Sequence, residues 1–178
     1  MHFFTADEHY GHRNIIRYCQ RPFADVEEMD RELIRRHNEV VGPEDTVIHA
    51  GDFTLQKKSG AEKYLRQLQG HHCFLRGSHD RWLGKTARGM LELTVEGQFI
   101  VVCHYAMRVW HRSHYNSWQV YGHSHGKLEP IGKQWDIGVD SNDFYPVSFE
   151  QLQAIMASRP DNPNLVKGRE QGAEGNDP

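Results

Sequence analysis

Little in this sequence points to a membrane, a disulfide framework or a broadly charged partner. It holds three cysteines, Cys19, Cys73 and Cys103. Their number is odd, their spacing is wide and no two have metal-binding spacing, which predicts buried thiols in a reducing, cytoplasmic compartment. No apolar run approaches the length needed to span a bilayer. The start, Met1-His2-Phe3-Phe4-Thr5-Ala6-Asp7, reads straight into a strand and lacks the charged beginning and apolar stretch of a signal peptide. A formal net charge of -3 gives no overall electrostatic grip on a nucleic-acid backbone, although a local basic groove is compatible with it. There is no internal repeat, and 178 residues leave no room for a large second domain beside one core. Histidine is what the chain has in plenty, with thirteen residues, several of them directly after strand-like runs.

The apolar pattern predicts strands over 2–6, 46–50 and 72–75, with helices between them. The first helix covers 14–19 and is closed by Arg21-Pro22. The second opens on an Asp25/Glu28 capping box and carries Val26, Met29, Leu33 and Val40 in helical register, and the third opens on a Ser59/Glu62 box with Leu65 and Leu68 inward. That order predicts parallel pairing through crossover helices. Beyond Trp82 the texture changes to a hairpin over 90–95 and 98–103, then strands over 117–121 and 134–139, so a second sheet should pack on the first. Ser148 and Gln151 cap a last helix that runs through Met156. The expected organisation is one domain over 1–157 and a disordered or loosely packed tail over 158–178, where apolar residues are few.

Five polar clusters stand out, most of them just after strand-like runs: Asp7-Glu8-His9, Gly51-Asp52, Arg76-Gly77-Ser78-His79-Asp80, Cys103-His104-Tyr105 and Gly122-His123-Ser124-His125. A parallel or mixed sheet gathers the carboxyl ends of its strands along one edge, so these clusters should meet there. Asp7 and His9 alternate along an extended chain and can reach one metal ion, and mixed oxygen and imidazole donors suit Mn, Fe, Zn or Co. A surface turn is the competing reading for that pair alone. His123 and His125 repeat the spacing between two glycines that allow close backbone approach.

In this order the clusters resemble the calcineurin-like metallophosphoesterase family, whose pattern is D-x-H, G-D, G-N-H-D/E, a lone His and G-H-x-H. The match spans nearly all of residues 1–150. The resemblance implies a small, uncapped, single-domain phosphoesterase of α/β class, with two packed mixed β-sheets flanked by helices in a four-layer αββα sandwich. It implies two divalent transition-metal ions, Mn first, with Fe, Zn, Co or Ni as alternatives. Asp7, His9, Asp52 and His125 would hold one ion, and Asp52, His104, His123 and the residue at 78 the other, with Asp52 bridging. Two such cations about 3.5–4 Å apart lower the pKa of a bridging water, whose hydroxide is the implied nucleophile. His79 is the implied general acid. Asp80 either orients His79 or caps the turn after it. The departure is Ser78, where the family has Asn. Three readings stay open: Ser78 ligates after a small loop shift, a water fills the gap, or the second site is impaired.

His12 and Asn14 either contact phosphate or a metal-bound water, or cap the helix after them. Arg21, Arg76 and Arg81 are candidate phosphate contacts. The basic and aromatic run over 105–118 suits stacking on nucleobases, with Trp110 and Tyr115 the expected contacts and Trp118 expected in the core. His37, His49, His71 and His72 are expected to be structural. The expected activity is a phosphodiesterase or nuclease on nucleotides or single-stranded nucleic acid. Its alternatives are a phosphomonoesterase on a small metabolite or phosphoprotein, and a phosphate-binding relative that has lost hydrolysis through Ser78.

Overall fold

Phe3 and Phe4 are sequence neighbours buried in different cores, and that alternation along the first strand sets the layers of the molecule. The computed structural model describes residues 1–166. In chain order it holds β1 (His2–Thr5), α1 (Arg13–Tyr18), α2 (Val26–Val40), β2 (Thr46–His49), α3 (Lys58–Leu65), β3 (His71–Phe74), β4 (Met90–Val95), β5 (Gln98–Cys103), β6 (Trp118–Tyr121), β7 (Gln134–Asp136), β8 (Val147–Ser148) and α4 (Phe149–Ser158). Two four-stranded mixed sheets result, ordered β3-β2-β1-β8 and β4-β5-β6-β7 and flanked by helices. In the first, β1, β2 and β3 are parallel and β8 is antiparallel. In the second, β4 and β5 form the hairpin, and β5, β6 and β7 are parallel.

Phe4 and Ile48 of the first sheet meet Ile100, Val102 and Val120 of the second in one core, which also takes in Phe149, Leu152 and Met156 of α4. Tyr10, Met29, Leu33 and Phe53 build a second core with residues of α1, α2 and α3. On the second sheet, buried Gln119 and Gln134 are bonded to each other at 2.6 Å. Gln119 accepts from the backbone N–H of Met107 and Gln134 donates to its carbonyl, so the segment over 105–117 is pinned there. No helix among the described residues is long and apolar enough to cross a membrane.

The expected strands and the hairpin appear close to their expected bounds, and the Ser148/Gln151 capping box is complete. The Asp25 box is half made. Asp25 accepts from Glu28 N, but Glu28 returns its bond to Ala24 N. The Ser59/Glu62 box is absent, because α3 begins at Lys58 with Lys57 at its N-cap and no side-chain cap bond, which leaves Ser59 already inside the first turn. The three cysteines are free but only partly buried. The segment expected as a loose tail is tied down over its first part. Asn162, 3% exposed, donates to the carbonyls of Ser113 and Ser117 and accepts from Lys133 N, and Val166 N donates to His114 O. The rest of that expected tail, 167–178, lies outside the described residues.

His37, His49 and His72 cluster in the interior around β2 and β3. Glu8 and His49 share a 2.6 Å hydrogen bond, His49 meets His72 at 2.9 Å, and His37 bonds Gln69 O at 2.9 Å. Burial pushes Glu8 up to about 7 and holds His37 down at about 4, His49 at about 3 and His72 at about 4. A histidine depressed in the folded state gives stability that is complete above its unfolded pKa near 6.5 and is lost as pH falls toward the folded value. Glu8, raised, acts in the opposite sense, so a single substitution isolates the effect. His37→Gln, which can keep the bond to Gln69, should flatten the acid slope of the unfolding free energy by about 1.4 kcal/mol per pH unit between roughly pH 6 and 4.5. Denaturant titrations across that range measure it, and parallel slopes for the two proteins would show that His37 is not neutral in the fold.

Candidate metal centre

All the parallel strands end at one edge, and the antiparallel strands β4 and β8 send no donor there. β1 delivers Asp7 and His9, β2 delivers Asp52 and β3 leads into the loop holding Ser78, His79 and Asp80. β5 delivers His104, and β6 delivers His123 and His125. Asp7, His9, Asp52, His123 and His125 all have left-handed backbones, with φ between 48° and 68°. Non-glycine residues seldom adopt that conformation, and such residues cluster at functional sites. The loops also pass too close for a side chain. A Cβ on Gly77 would lie 2.3 Å from Asp52 Oδ1, and one on Gly51 would lie 2.7 Å from His104 Nδ1.

Asp52 Oδ2 is the hub. It lies 3.3 Å from His104 Nε2, 3.8 Å from His9 Nε2 and 3.8 Å from His79 Nε2. Two donor groups, Asp7 with His9 and His125, and Asp52 with His104 and His123, each bring their atoms within 4.8 Å of one another, and Asp52 groups likewise with His9 and His79. Asp7 Oδ1, His9 Nε2 and His104 Nε2 are buried here with no hydrogen-bond partner. An unmet buried polar atom costs about 1–3 kcal/mol, and divalent cations held by the two donor groups would satisfy all three.

The surrounding bonds aim those atoms. His104 Nδ1 donates to Ala50 O at 2.9 Å, which leaves the Nε2 lone pair facing Asp52. His125 Nδ1 bonds Asp140 Oδ2 at 2.7 Å, freeing its Nε2 in the same way. Asp7 Oδ2 accepts from His123 N at 2.7 Å, and Asp52 Oδ1 accepts from His79 N at 2.8 Å. Burial first, then the Asp52 and Asp136 charges, raises Asp7 well above the usual carboxylate range. For Asp52 burial also pushes upward, but the close approach of His104, with help from His79 N and His9, outweighs it and the pKa is lowered. Burial holds His9 neutral, down at about 2. Two buried carboxylates among imidazole nitrogens form the mixed oxygen and nitrogen donor set that a transition metal accepts.

The loop after β3 has roles different from some expected for it. Ser78 Oγ donates to Asp52 Oδ2 at 3.0 Å, so its hydroxyl is spent on the hub carboxylate. His79 stands at the open rim, its side chain 40% exposed. Asp80 neither bonds the His79 ring nor caps the turn after it. Its carboxylate accepts from the N–H groups of Asp52, Phe53 and Gly77 and from Trp82 Nε1, which ties the β3 loop to the β2 loop.

His12 lines the cavity with His9, Asp52, His79, His123 and His125, its Nδ1 3.4 Å from His9 Nδ1. Asn14 lines a separate groove beside Arg17 and Asp25. Arg76, Arg81 and Tyr115 are not among the cavity's lining residues. Trp110 is 6% exposed and donates from Nε1 to Ser117 O, so it packs the interior and cannot meet a substrate. Two basic residues of its loop are also engaged, His111 with Glu92 and Arg112 over the Phe99 ring. Arg21 is buried and pairs with Asp140 rather than facing a ligand. Asp136 and Asp140 were missed, although the rule that picked the other clusters applies equally to the end of β7. Asp136 holds the β6 loop through Ser124 Oγ and Gly126 N. Tyr18, Cys19 and Lys127 also line the cavity, and no motif marked them.

Over 163 residues the chain is 31% identical to the uncharacterized protein MJ1445 of Methanocaldococcus jannaschii, a match covering 86% of this chain and 90% of that one. The chain belongs to the family of that protein. No family model matches it. Among solved structures, the protein of unknown function AQ665 from Aquifex aeolicus shares the fold, with a TM-score of 0.68 and 22% identity over 87% of this chain and 98% of that one. A single mutant of Vps29 from Entamoeba histolytica aligns with a TM-score of 0.47 and 14% identity over 77% of this chain and 72% of that one.

Proposed function

We propose that the protein is a binuclear metal-dependent phosphoesterase that prefers phosphodiesters of nucleotides or single-stranded nucleic acid. The observation that carries this is the trio of buried, unpartnered donor atoms, Asp7 Oδ1, His9 Nε2 and His104 Nε2, set around Asp52 beneath an open rim occupied by His79. Asp7, His9, Asp52 and His125 would hold one ion, and Asp52, His104 and His123 the other. When bound, the ions supply Lewis-acid polarisation of the phosphoryl oxygens and a water-derived nucleophile at neutral pH. The chain supplies the rest. His104 and His125 are held in one tautomer by Ala50 O and Asp140. The N–H of His79 is anchored on Asp52 Oδ1, which leaves its imidazole free at the rim. In its protonated form that ring donates its proton to the leaving oxygen.

The test is a screen of bis(p-nitrophenyl) phosphate against p-nitrophenyl phosphate with Mn, Fe, Zn, Co and Ni. Diester turnover that falls at least about a hundredfold in His79→Ala is expected. Turnover of the monoester alone would replace the diesterase reading with a monoesterase, and turnover of neither would sink hydrolysis altogether.

Ser78 sets the strength of the second site. Its hydroxyl bonds Asp52, and a serine reaches less far than an amide carbonyl toward a cation between Asp52, His104 and His123. Ser78→Asn is expected to tighten the weaker of two Mn-binding steps in a calorimetric titration by about tenfold, near 1.4 kcal/mol. An unchanged second step would mean that residue 78 lies outside the ligand sphere.

A further inference from the structure

The loop after β5 was expected to present Trp110 and Tyr115 to a substrate, yet the ring beside the metal donors is Tyr105. It lies edge-on to His104, 4.9 Å between centroids, and to His123, 4.8 Å. The residue is 48% exposed, so a broad part of it is left to solvent. Its backbone is fixed, because its carbonyl accepts from the fully buried Gln119. Tyr18 stands beyond His9 and His12 and is 53% exposed. It shares a cavity of about 320 Å³ with His12, His79 and Lys127. The Lys127 ammonium reaches the Tyr18 carbonyl at 3.4 Å, and the Arg17 guanidinium sits over one face of the Tyr18 ring, 5.3 Å from its centroid. One exposed tyrosine therefore stands against the His104/His123 donors and another past His9 and His12. Exposed aromatic faces beside cationic groups suit stacked bases on a phosphate backbone. A small phosphomonoester would leave both rings unused.

We propose that Tyr105 and Tyr18 are stacking platforms on opposite sides of the scissile phosphate, so that the ligand is a phosphodiester carrying a nucleobase on each side, with Lys127 facing a neighbouring phosphate. The proposal deepens the phosphoesterase reading and rests on it for the reaction, while the stacking contact is tested by binding. The full chain carrying His79→Ala, loaded with Mn, is titrated calorimetrically with thymidylyl-thymidine and with the same dinucleotide backbone lacking both bases. The base-bearing ligand should bind at least about tenfold tighter. That ratio should fall at least about fivefold in Tyr105→Ala and in Tyr18→Ala, and should return in the Phe variants. Equal affinities, no measurable binding of the base-bearing ligand, or a ratio that falls in neither variant or in only one overturns the two-sided site. Hydrolysis of bis(p-nitrophenyl) phosphate by the unaltered chain is measured alongside. Its absence counts against the phosphoesterase reading, while the binding ratio still decides the stacking.

Discussion

Asp52→Ala is expected to remove both Mn-binding steps at once and to lower kcat/KM on bis(p-nitrophenyl) phosphate by at least about a thousandfold, or ~4 kcal/mol of transition-state stabilisation. No other donor stands in both proposed ligand sets. Oδ2 of Asp52 is approached by His104, His9 and His79, and Oδ1 accepts from the N–H of His79. Loss of the carboxylate therefore removes the anion shared by the two proposed ligand sets and also frees the loop that carries His79. Asp52→Asn separates the two effects. Its amide oxygen can still accept from His79 N, so the loop should hold while the shared charge is gone. Thermal unfolding with and without Mn reads the difference, because a cation that binds only the folded state raises the melting temperature. The unaltered protein should gain from Mn and both variants should not. If Asp52→Asn kept two binding steps, the carboxylate would not be the bridge.

Arg21→Ala is expected to cost about 3–5 kcal/mol of stability, the range for removing one partner of a buried pair. For a chain of this size that lowers the melting temperature by roughly 10 °C. The guanidinium is buried and fully used. Nε and Nη2 grip both oxygens of Asp140 at 2.8 Å, Nη2 donates to Asp7 O at 2.6 Å, and Nη1 donates to Glu8 O at 3.0 Å. Deleting it leaves Asp140 buried without a cation and frees the backbone that presents Asp7. Asp140 also orients His125, so metal affinity should fall with stability. Lysine should not rescue either property, because a single ammonium cannot reproduce a planar fork that meets a carboxylate and two carbonyls together. Differential scanning calorimetry of the Ala and Lys variants measures the first effect and Mn titration the second. A Lys variant as stable as the unaltered protein would reduce Arg21 to a plain positive charge.

Asp7, His9, Asp52, His104, His123 and His125 were legible because each follows an apolar run, and runs of that kind become strands whose ends share an edge. Arg21 was not legible. Its partner Asp140 is 119 residues away in sequence, and an isolated arginine after a short helix reads as a candidate phosphate contact until the fold closes over it. Trp110 misled for a related reason. A tryptophan among basic residues looks like a ligand surface, but its ring is buried with Nε1 spent on Ser117 O, while its loop is tied to Gln119 of β6 and lies over Phe99 of β5. Asp80 was read as either orienting His79 or capping the turn after it, whereas the backbone of the loop turns its carboxylate toward Asp52, Phe53 and Gly77. The left-handed backbones of five donors left no mark in composition, since aspartate and histidine also occur freely in ordinary turns. Tyr105 was visible as part of an aromatic run, but only its contacts with His104 and His123 set it apart from Trp110.

The donors divide evenly between the sheets, with Asp7, His9 and Asp52 on the first and His104, His123 and His125 on the second. Their order along the chain has a consequence during synthesis. A ribosome that has released residues up to the β3 loop has exposed the first-sheet half of the set and His79, the proposed acid, but none of the second-sheet imidazoles. His125 follows much later, and the Asp140 and Arg21 pairing that aims it waits longer still. A truncated product that ends just before β6 therefore keeps His9 and His104 but lacks His123 and His125, so neither proposed ligand set is complete in it.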